Sequence, residues 1–366
     1  MAPLRSGIVG TGFMGVVHTR AVRAAGGEVV AYAGRDRERT SQAAQAQGVA
    51  RSLDPDELIE DADVDIVHIC TPNSRHVDLA AAAIAAGKHV VCEKPLALTA
   101  ADALALDDAA RAAGIVTAVP FVYRYYPAVR EARARIDSGD RIWLAHGHYL
   151  QDWLAERDTF NWRVAEGASR AFADIGVHWC DLFEFTTGHR IAALSARFTT
   201  LHETRRAPGG DVPVATEDAV TMQFETDRGA AGTVVISQAS RGRKNRLWIE
   251  LDGTDASYSF DQEFPDRLEI GTTAGTLHVP KGAETTLNPG LVAPYLPLPS
   301  GHPQGYQDAF TLFMSEVHAA VSGSPVAGMP TFSDGARAAL LTEAAVESAA
   351  TRSWVEPRPG PLSRSP

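Results

Sequence analysis

Gly10-Thr11-Gly12-Phe13-Met14-Gly15 stands between an apolar run that ends at Val9 and a helical stretch through Ala25. Glycine at the first, third and sixth positions of a strand-to-helix turn meets three needs: a tight bend, close approach of backbone to a phosphate pair, and close packing of helix on strand. A second apolar run over residues 28–33 completes a βαβ unit. Parallel strands need a crossover between them, so this unit commits the start of the chain to a parallel sheet. The alternation continues to Pro120. Apolar runs at 65–70, 89–92 and 115–119 are separated by helical stretches at 41–48, from 54, at 77–86 and at 99–113. Pro55 suits a first helical turn, and Gly87 and Gly114 read as helix stops.

In such a sheet, ligands bind outside the carboxyl ends of the strands. Three segments fall there. His89-Val90-Val91-Cys92-Glu93-Lys94-Pro95 is a short buried strand that must leave the sheet at Pro95, which puts Lys94 at the edge. Thr71-Pro72-Asn73-Ser74-Arg75-His76 follows the strand at 65–70. At the tip of the second strand the chain reads Gly34-Arg35-Asp36, where an acid that binds an adenosine ribose would be expected. Arg35 is a flat, permanently charged donor fork suited to a 2′-phosphate, which favours NADP over NAD; Asp36 on the ribose is the alternative.

After Pro120 the pattern changes. Tyr123-Arg124-Tyr125-Tyr126-Pro127 leads into an amphipathic helix at 128–138. Alternating segments then follow at 141–150, 191–200, 219–225, 229–238, 246–252 and 256–261, which predict a mainly antiparallel sheet. Residues 209–213 and 280–305 read as loops, 306–321 and 334–351 as helices. The expected division is a dinucleotide-binding domain over 1–120, an α+β domain over 121–355 whose helix at 334–351 packs back on the first, and a tail over 356–366. This is an α/β domain joined to one with a large open sheet.

Of 366 residues 45% are hydrophobic, enough for such cores, and the net charge of −11 argues against nucleic acid or an anionic membrane as main partner. No apolar run reaches membrane length. The first strand starts near the N-terminus with no room for a leader, and Cys70, Cys92 and Cys180 are far apart with no CxxC, so a reduced, cytoplasmic setting is expected.

A second constellation lies at Asp174-Ile175-Gly176-Val177-His178. On a helix, Asp174 and His178 share a face. A histidine shuttles protons near neutral pH, and a neighbouring carboxylate steadies its charged form. No third ligand is evident, so a metal is not expected.

These motifs, in this order, resemble the Gfo/Idh/MocA family, the relatives of glucose–fructose oxidoreductase and inositol dehydrogenase, over residues 5 to 350. The resemblance implies a Rossmann domain followed by an open, mainly antiparallel sheet domain that commonly forms an oligomer contact, here a homodimer or homotetramer. It implies cofactor contacts at Gly10, Gly12, Phe13, Met14, Gly15, Thr71, Pro72, Asn73, His76, Glu93 and Lys94, to which the position of Arg35 at the tip of the second strand adds a further one. It implies catalysis by Lys94, His178 and Asp174, with Arg124, Trp162 and Arg163 beside Asp174 and His178 on the substrate; Tyr149, at a strand end near the expected cleft, is a further substrate candidate by its position. The segment before Asp174 departs from the family's glycine-rich pattern, and Arg170 within it reads as a solvated helix charge, contact with an acidic or phosphorylated substrate being the alternative. The implied reaction is hydride transfer between NAD(P) and a secondary hydroxyl of a sugar, polyol or glycoside. An NAD-retaining glycosidase and a non-catalytic dinucleotide-binding regulator are the alternatives.

Overall fold

A computed structural model describes residues 2–161, 164, 167–207 and 209–358. The chain divides into two compact units, Met1–Tyr125 with Gly305–Ala339, and Tyr126–Gln304 with Leu340–Pro366.

The first unit runs β1 (Arg5–Val9), α1 (Phe13–Ala24), β2 (Glu28–Ala33), α2 (Arg37–Ala46), β3 (Arg51–Leu53), α3 (Pro55–Glu60), β4 (Ile66–Ile69), α4 (His76–Ala85), β5 (His89–Cys92), α5 (Ala100–Ala113) and β6 (Thr117–Ala118). All neighbours in the order β3-β2-β1-β4-β5-β6 are parallel. The central strands are covered on both faces, so Ile8, Val9, Val67, Ile69 and Val91 are wholly buried. The chain fills one side of β1 and then crosses to β4. The carboxyl ends of these two neighbours are therefore the point where the strand order reverses.

The second unit holds α6 (Pro127–Asp137), β7 (Leu144–Leu150), a π-helical turn (Phe172–Gly176), α7 (Val177–Thr187), β8 (Ile191–Thr199), β9 (Thr204–Ala207), β10 (Gly210–Pro213), β11 (Ala219–Thr226), β12 (Ala231–Ser237), β13 (Arg246–Asp252), β14 (Ser257–Asp261), β15 (Arg267–Thr272), β16 (Gly275–Pro280) and α8 (Pro289–Val292). Eight strands form one sheet in the order β16-β15-β14-β13-β7-β12-β11-β8. Only the central β12–β7 pair is parallel. Alternation is clean in β11: Val220, Met222 and Phe224 are buried, while Thr221, Gln223 and Glu225 face out. On the buried face, α7 is anchored by Trp179, which stacks on Phe183 and donates from Nε1 to the Trp248 carbonyl at 3.0 Å.

The last two helices are α9 (Tyr306–Val321), in the first unit, and α10 (Phe332–Thr351), which begins in the first unit and ends in the second. Within the first unit, the Tyr125 hydroxyl donates to Glu316 of α9 at 2.5 Å.

Two segments differ from expectation. Residues 210–213, read as loop, form β10 and pair with β9. Residues 280–305, read as loop, hold the short α8, and the stretch before residue 280, to which the pattern assigns no element, contributes β15 and β16. Both β10 and the edge strand β16 are mostly exposed, so neither carries the apolar alternation that marks a half-buried strand; ladder hydrogen bonds alone define them. None of the described helices is long and apolar enough to cross a membrane.

Candidate active site

The glycine turn at the end of β1 is built around close approach. Gly10 has φ +126°, and a Cβ there would lie 2.4 Å from the Cys70 carbonyl oxygen at the end of β4. A Cβ on Gly15 would lie 2.3 Å from the Gly10 carbonyl oxygen. A Cβ on Gly12 would meet nothing within 4 Å. The turn is thus closed against its own sheet and open at the residue that begins α1, where free N–H groups favour an anion. Phe13 beside it is 73% exposed. At the end of β4, the Thr71 hydroxyl is buried and makes no hydrogen bond among the described residues. A cradle with room at Gly12 and a waiting hydroxyl fits a dinucleotide. Gly15→Ala is expected to lower stability by about 1–3 kcal/mol through overpacking and to weaken dinucleotide binding. Thermal unfolding and NADH fluorescence titration check this; native values in both would remove the packing argument.

His76, expected on the cofactor, is wholly buried. Its Nδ1 lies 2.8 Å from the Pro95 carbonyl and its Nε2 3.0 Å from that of Thr71. It braces the Thr71–Asn73 loop against the Glu93–Pro95 loop. Burial pushes the ring below its ordinary pKa, outweighing the two carbonyls that favour the charged form. Asn73 is half-buried and Pro72 exposed. Lys94 is half-buried, and its backbone N–H donates to Glu93 Oε2 at 3.2 Å. Burial, with Glu93 adding, pushes the Cys70 and Cys92 thiols well up, so both are poor nucleophiles.

Arg35 is exposed at the tip of β2. Asp36 caps α2, accepting from the Arg39 N–H at 3.0 Å. Arg124, expected on the substrate, is 6% exposed; its guanidinium pairs with Asp334 at 2.6 Å and donates to the Gly328 carbonyl at 3.2 Å.

In the second unit, Asp174 lies in the π turn, not in the α-helix the spacing predicts, and His178 opens the α7 that follows. Such turns recur at functional sites. Asp174 Oδ2 accepts from Gln238 Nε2 at 2.6 Å, and His178 is 9% exposed. Tyr149 is buried, and its hydroxyl donates to Asn245 Oδ1 at 2.8 Å; Gln151 donates to the same oxygen and accepts from Trp153 Nε1, each at 2.8 Å. Trp162 and Arg163 lie outside the described residues.

Arg170 is not solvated. It is 2% exposed and ion-paired to Asp218, which also accepts from Arg205 at 2.8 Å. Beside it, Glu217 accepts from the backbone N–H groups of Arg170 and Phe172 at 3.1 and 3.0 Å and from the Ser169 hydroxyl at 2.7 Å. Two adjacent carboxylates therefore hold the entrance to the turn that carries Asp174 and leads into the helix of His178. Their signal was an acid pair immediately ahead of an apolar strand, at a place where the strand pattern alone assigns no role. Elsewhere His146, Glu250 and Asp252 bring donor atoms within 4.8 Å of one another on β7 and β13, each half-buried.

Comparison with known proteins agrees with this layout. The family described as "Oxidoreductase family, NAD-binding Rossmann fold" matches residues 4–121, and the GFO/IDH/MocA C-terminal domain matches residues 129–259. Levoglucosan dehydrogenase of Pseudarthrobacter phenanthrenivorans is 32% identical, over 97% of this chain and 98% of the relative. A solved levoglucosan dehydrogenase in complex with NADH and L-sorbose is 33% identical with a TM-score of 0.90, covering 98% of this chain and 100% of that one. An inositol dehydrogenase homologue from Azotobacter vinelandii, complexed with NADH and myo-inositol, is 27% identical with a TM-score of 0.84, covering 97% of each chain.

Proposed function

We propose, for a chain that belongs to the GFO/IDH/MocA oxidoreductase family, reversible hydride transfer between a nicotinamide dinucleotide and a secondary hydroxyl of a cyclic sugar or polyol. The observation that carries this reading is the convergence, at the carboxyl ends of β1, β4 and β5, of the open glycine turn, the waiting Thr71 hydroxyl and Glu93-Lys94. Relatives that act on levoglucosan and inositol support the substrate class.

When bound, the dinucleotide supplies a two-electron acceptor for the hydride of the alcohol C–H bond. Everything else falls to the protein. As the carbonyl forms, His178 accepts the hydroxyl proton and Lys94 stabilises the negative charge that develops on the oxygen. Asp174, fixed by Gln238, orients His178 and accepts from a neighbouring substrate hydroxyl. Tyr149 serves the same pocket through Asn245. Trp162 and Arg163 are proposed as further substrate contacts on the family resemblance alone, and Arg124 as a residue that holds the start of α10 through Asp334.

For the cofactor, the NADH found in solved relatives supports NAD(H). Arg35, exposed where a 2′-phosphate would be read, is the feature that would favour NADP(H). A cytoplasmic homo-oligomer remains part of the proposal.

The test is turnover on anhydrosugars, inositols, free sugars and glycosides, following NADH and NADPH separately, with native protein and Arg35→Ala. Reduction of NAD by at least one anhydrosugar or polyol is expected, and Arg35→Ala should weaken use of NADP by more than that of NAD. Consumption of a glycoside with no net NADH would replace the dehydrogenase reading with transient-oxidation glycosidase chemistry. Cofactor binding without turnover of any of these would favour a regulator.

A further inference from the structure

Beneath the glycine turn runs a row of buried polar side chains that hydride transfer does not use. Ser6 on β1, His68 on β4 and His18 on α1 are 0% exposed, and Glu93 is 7% exposed. Ser6 Oγ lies 3.1 Å from His68 Nε2, His68 Nδ1 lies 3.1 Å from His18 Nδ1, and His18 Nε2 lies 3.0 Å from Glu93 Oε1. The other carboxylate oxygen accepts the Lys94 backbone N–H.

We propose that Ser6, His68, His18 and Glu93 form one directional hydrogen-bond chain that positions Lys94, with the two histidines in opposite tautomers: His68 protonated on Nδ1 and His18 on Nε2. The proposal rests on the assignment of Lys94 as the group that meets the reacting oxygen.

The direction follows from counting protons. A carboxylate only accepts, so His18 Nε2 must donate to Glu93. A neutral imidazole then leaves His18 Nδ1 as an acceptor. The facing Nδ1 of His68 must donate to it, which leaves His68 Nε2 to accept from the Ser6 hydroxyl. Every member is satisfied once, as a low-dielectric interior requires. Burial, with His18 and His318 adding, holds His68 well below its ordinary value and so neutral.

The surroundings leave Glu93 as the end of the chain. Cys70 on β4 and Cys92 on β5 face it as neutral thiols, His76 faces it from α4, and Lys94 is its charged neighbour. From α9, Phe310 packs on the His18 ring and His318 faces His68. Ser6 is sealed from water, so the row delivers no proton to solvent. Its members stand on β1, α1 and β4 and just past the end of β5, the elements that border Gly10, Phe13, Thr71 and Lys94. The row therefore clamps together the elements that would carry the dinucleotide, and the clamp closes on the peptide of Lys94. His18, His68 and Ser6 are positioning residues.

The test begins with cofactor-free protein. Nitrogen-15 NMR of histidine-labelled native chain should show His68 protonated on Nδ1 and His18 on Nε2, with His68 staying neutral through the ordinary imidazole range. His18→Phe keeps a ring against Phe310 but removes both nitrogens. It should move the His68 proton to Nε2 and lower kcat about 10- to 100-fold, the scale of a small misplacement of a reacting group. The loss should fall on kcat, with substrate KM and NADH affinity staying within a few-fold of native, because the row positions Lys94 without touching either ligand. Ser6→Ala, which removes only the terminal donor, should act in the same direction with smaller effect and serves if His18→Phe does not fold. Like tautomers on both rings, or variants whose kcat is native or whose loss lies in KM instead, would overturn the proposal. Full turnover in Lys94→Ala would instead overturn the assignment of Lys94, and leave the tautomers standing.

Discussion

Lys94→Ala is expected to lower kcat by about three orders of magnitude while NADH binding stays within a few-fold of native. The lysine follows the end of β5 at the carboxyl edge of a buried parallel sheet, with its own N–H held by Glu93 at 3.2 Å. Truncation removes the side chain without disturbing that backbone contact. The lost interaction belongs to charge that develops only in the transition state, so kcat and kcat/KM should fall together. His178→Ala should show a loss of similar kind, because no proton leaves the hydroxyl without an acceptor. Steady-state kinetics and NADH fluorescence titration read both. A Lys94→Ala protein within tenfold of native turnover would refute the site assignment, whatever the substrate.

Asp218→Ala is expected to destabilise the second unit by about 3–5 kcal/mol, the cost of leaving buried charge without its partner. Asp218 is 1% exposed and is shared by Arg170 and Arg205, which are 2% and 0% exposed. It also accepts the Leu201 N–H at 2.7 Å. Burial pushes its carboxyl up, but the Leu201 N–H and the Arg170 guanidinium overcome this and hold it below the ordinary carboxylate range. The sign follows. A carboxylate lowered in the folded state contributes stability above its unfolded value near ~3.9, and loses it as pH falls through the folded one. The difference between native and variant should therefore be full at neutral pH and shrink in acid. Urea unfolding at both conditions measures it, and a variant with the native midpoint at neutral pH would exclude the paired-charge account. Catalytic loss should accompany the instability, because the adjacent Glu217 holds the N–H groups of Arg170 and Phe172 just ahead of Asp174.

The parallel half of the molecule was legible because its information is local. Gly10, Gly12 and Gly15 occupy positions where a side chain would strike backbone or fill an anion site, and residues 65–70 and 89–92 are apolar because both sheet faces are covered. The second unit was legible where one face of a strand is buried, as in β11 and β13. It was not legible in β10 and β16, which expose most of their residues and exist through backbone hydrogen bonds that any side chain allows.

By itself the amino-acid sequence determined the alternation of strand and helix, the glycine turn, the edge position of Lys94 and the pairing of Asp174 with His178 on one segment. Only the tertiary structure decided what the polar residues between them do. Arg170 reads as a surface charge until Asp218 and Arg205, distant in the chain, close around it. His18 reads as one residue of a helix until His68 and Glu93 arrive from two different strands. Lys94 gains its clamp in the same way. Partner choice among buried polar groups depends on contacts across 48, 50 and 75 residues of chain, and neither local propensity nor periodicity encodes distances of that length.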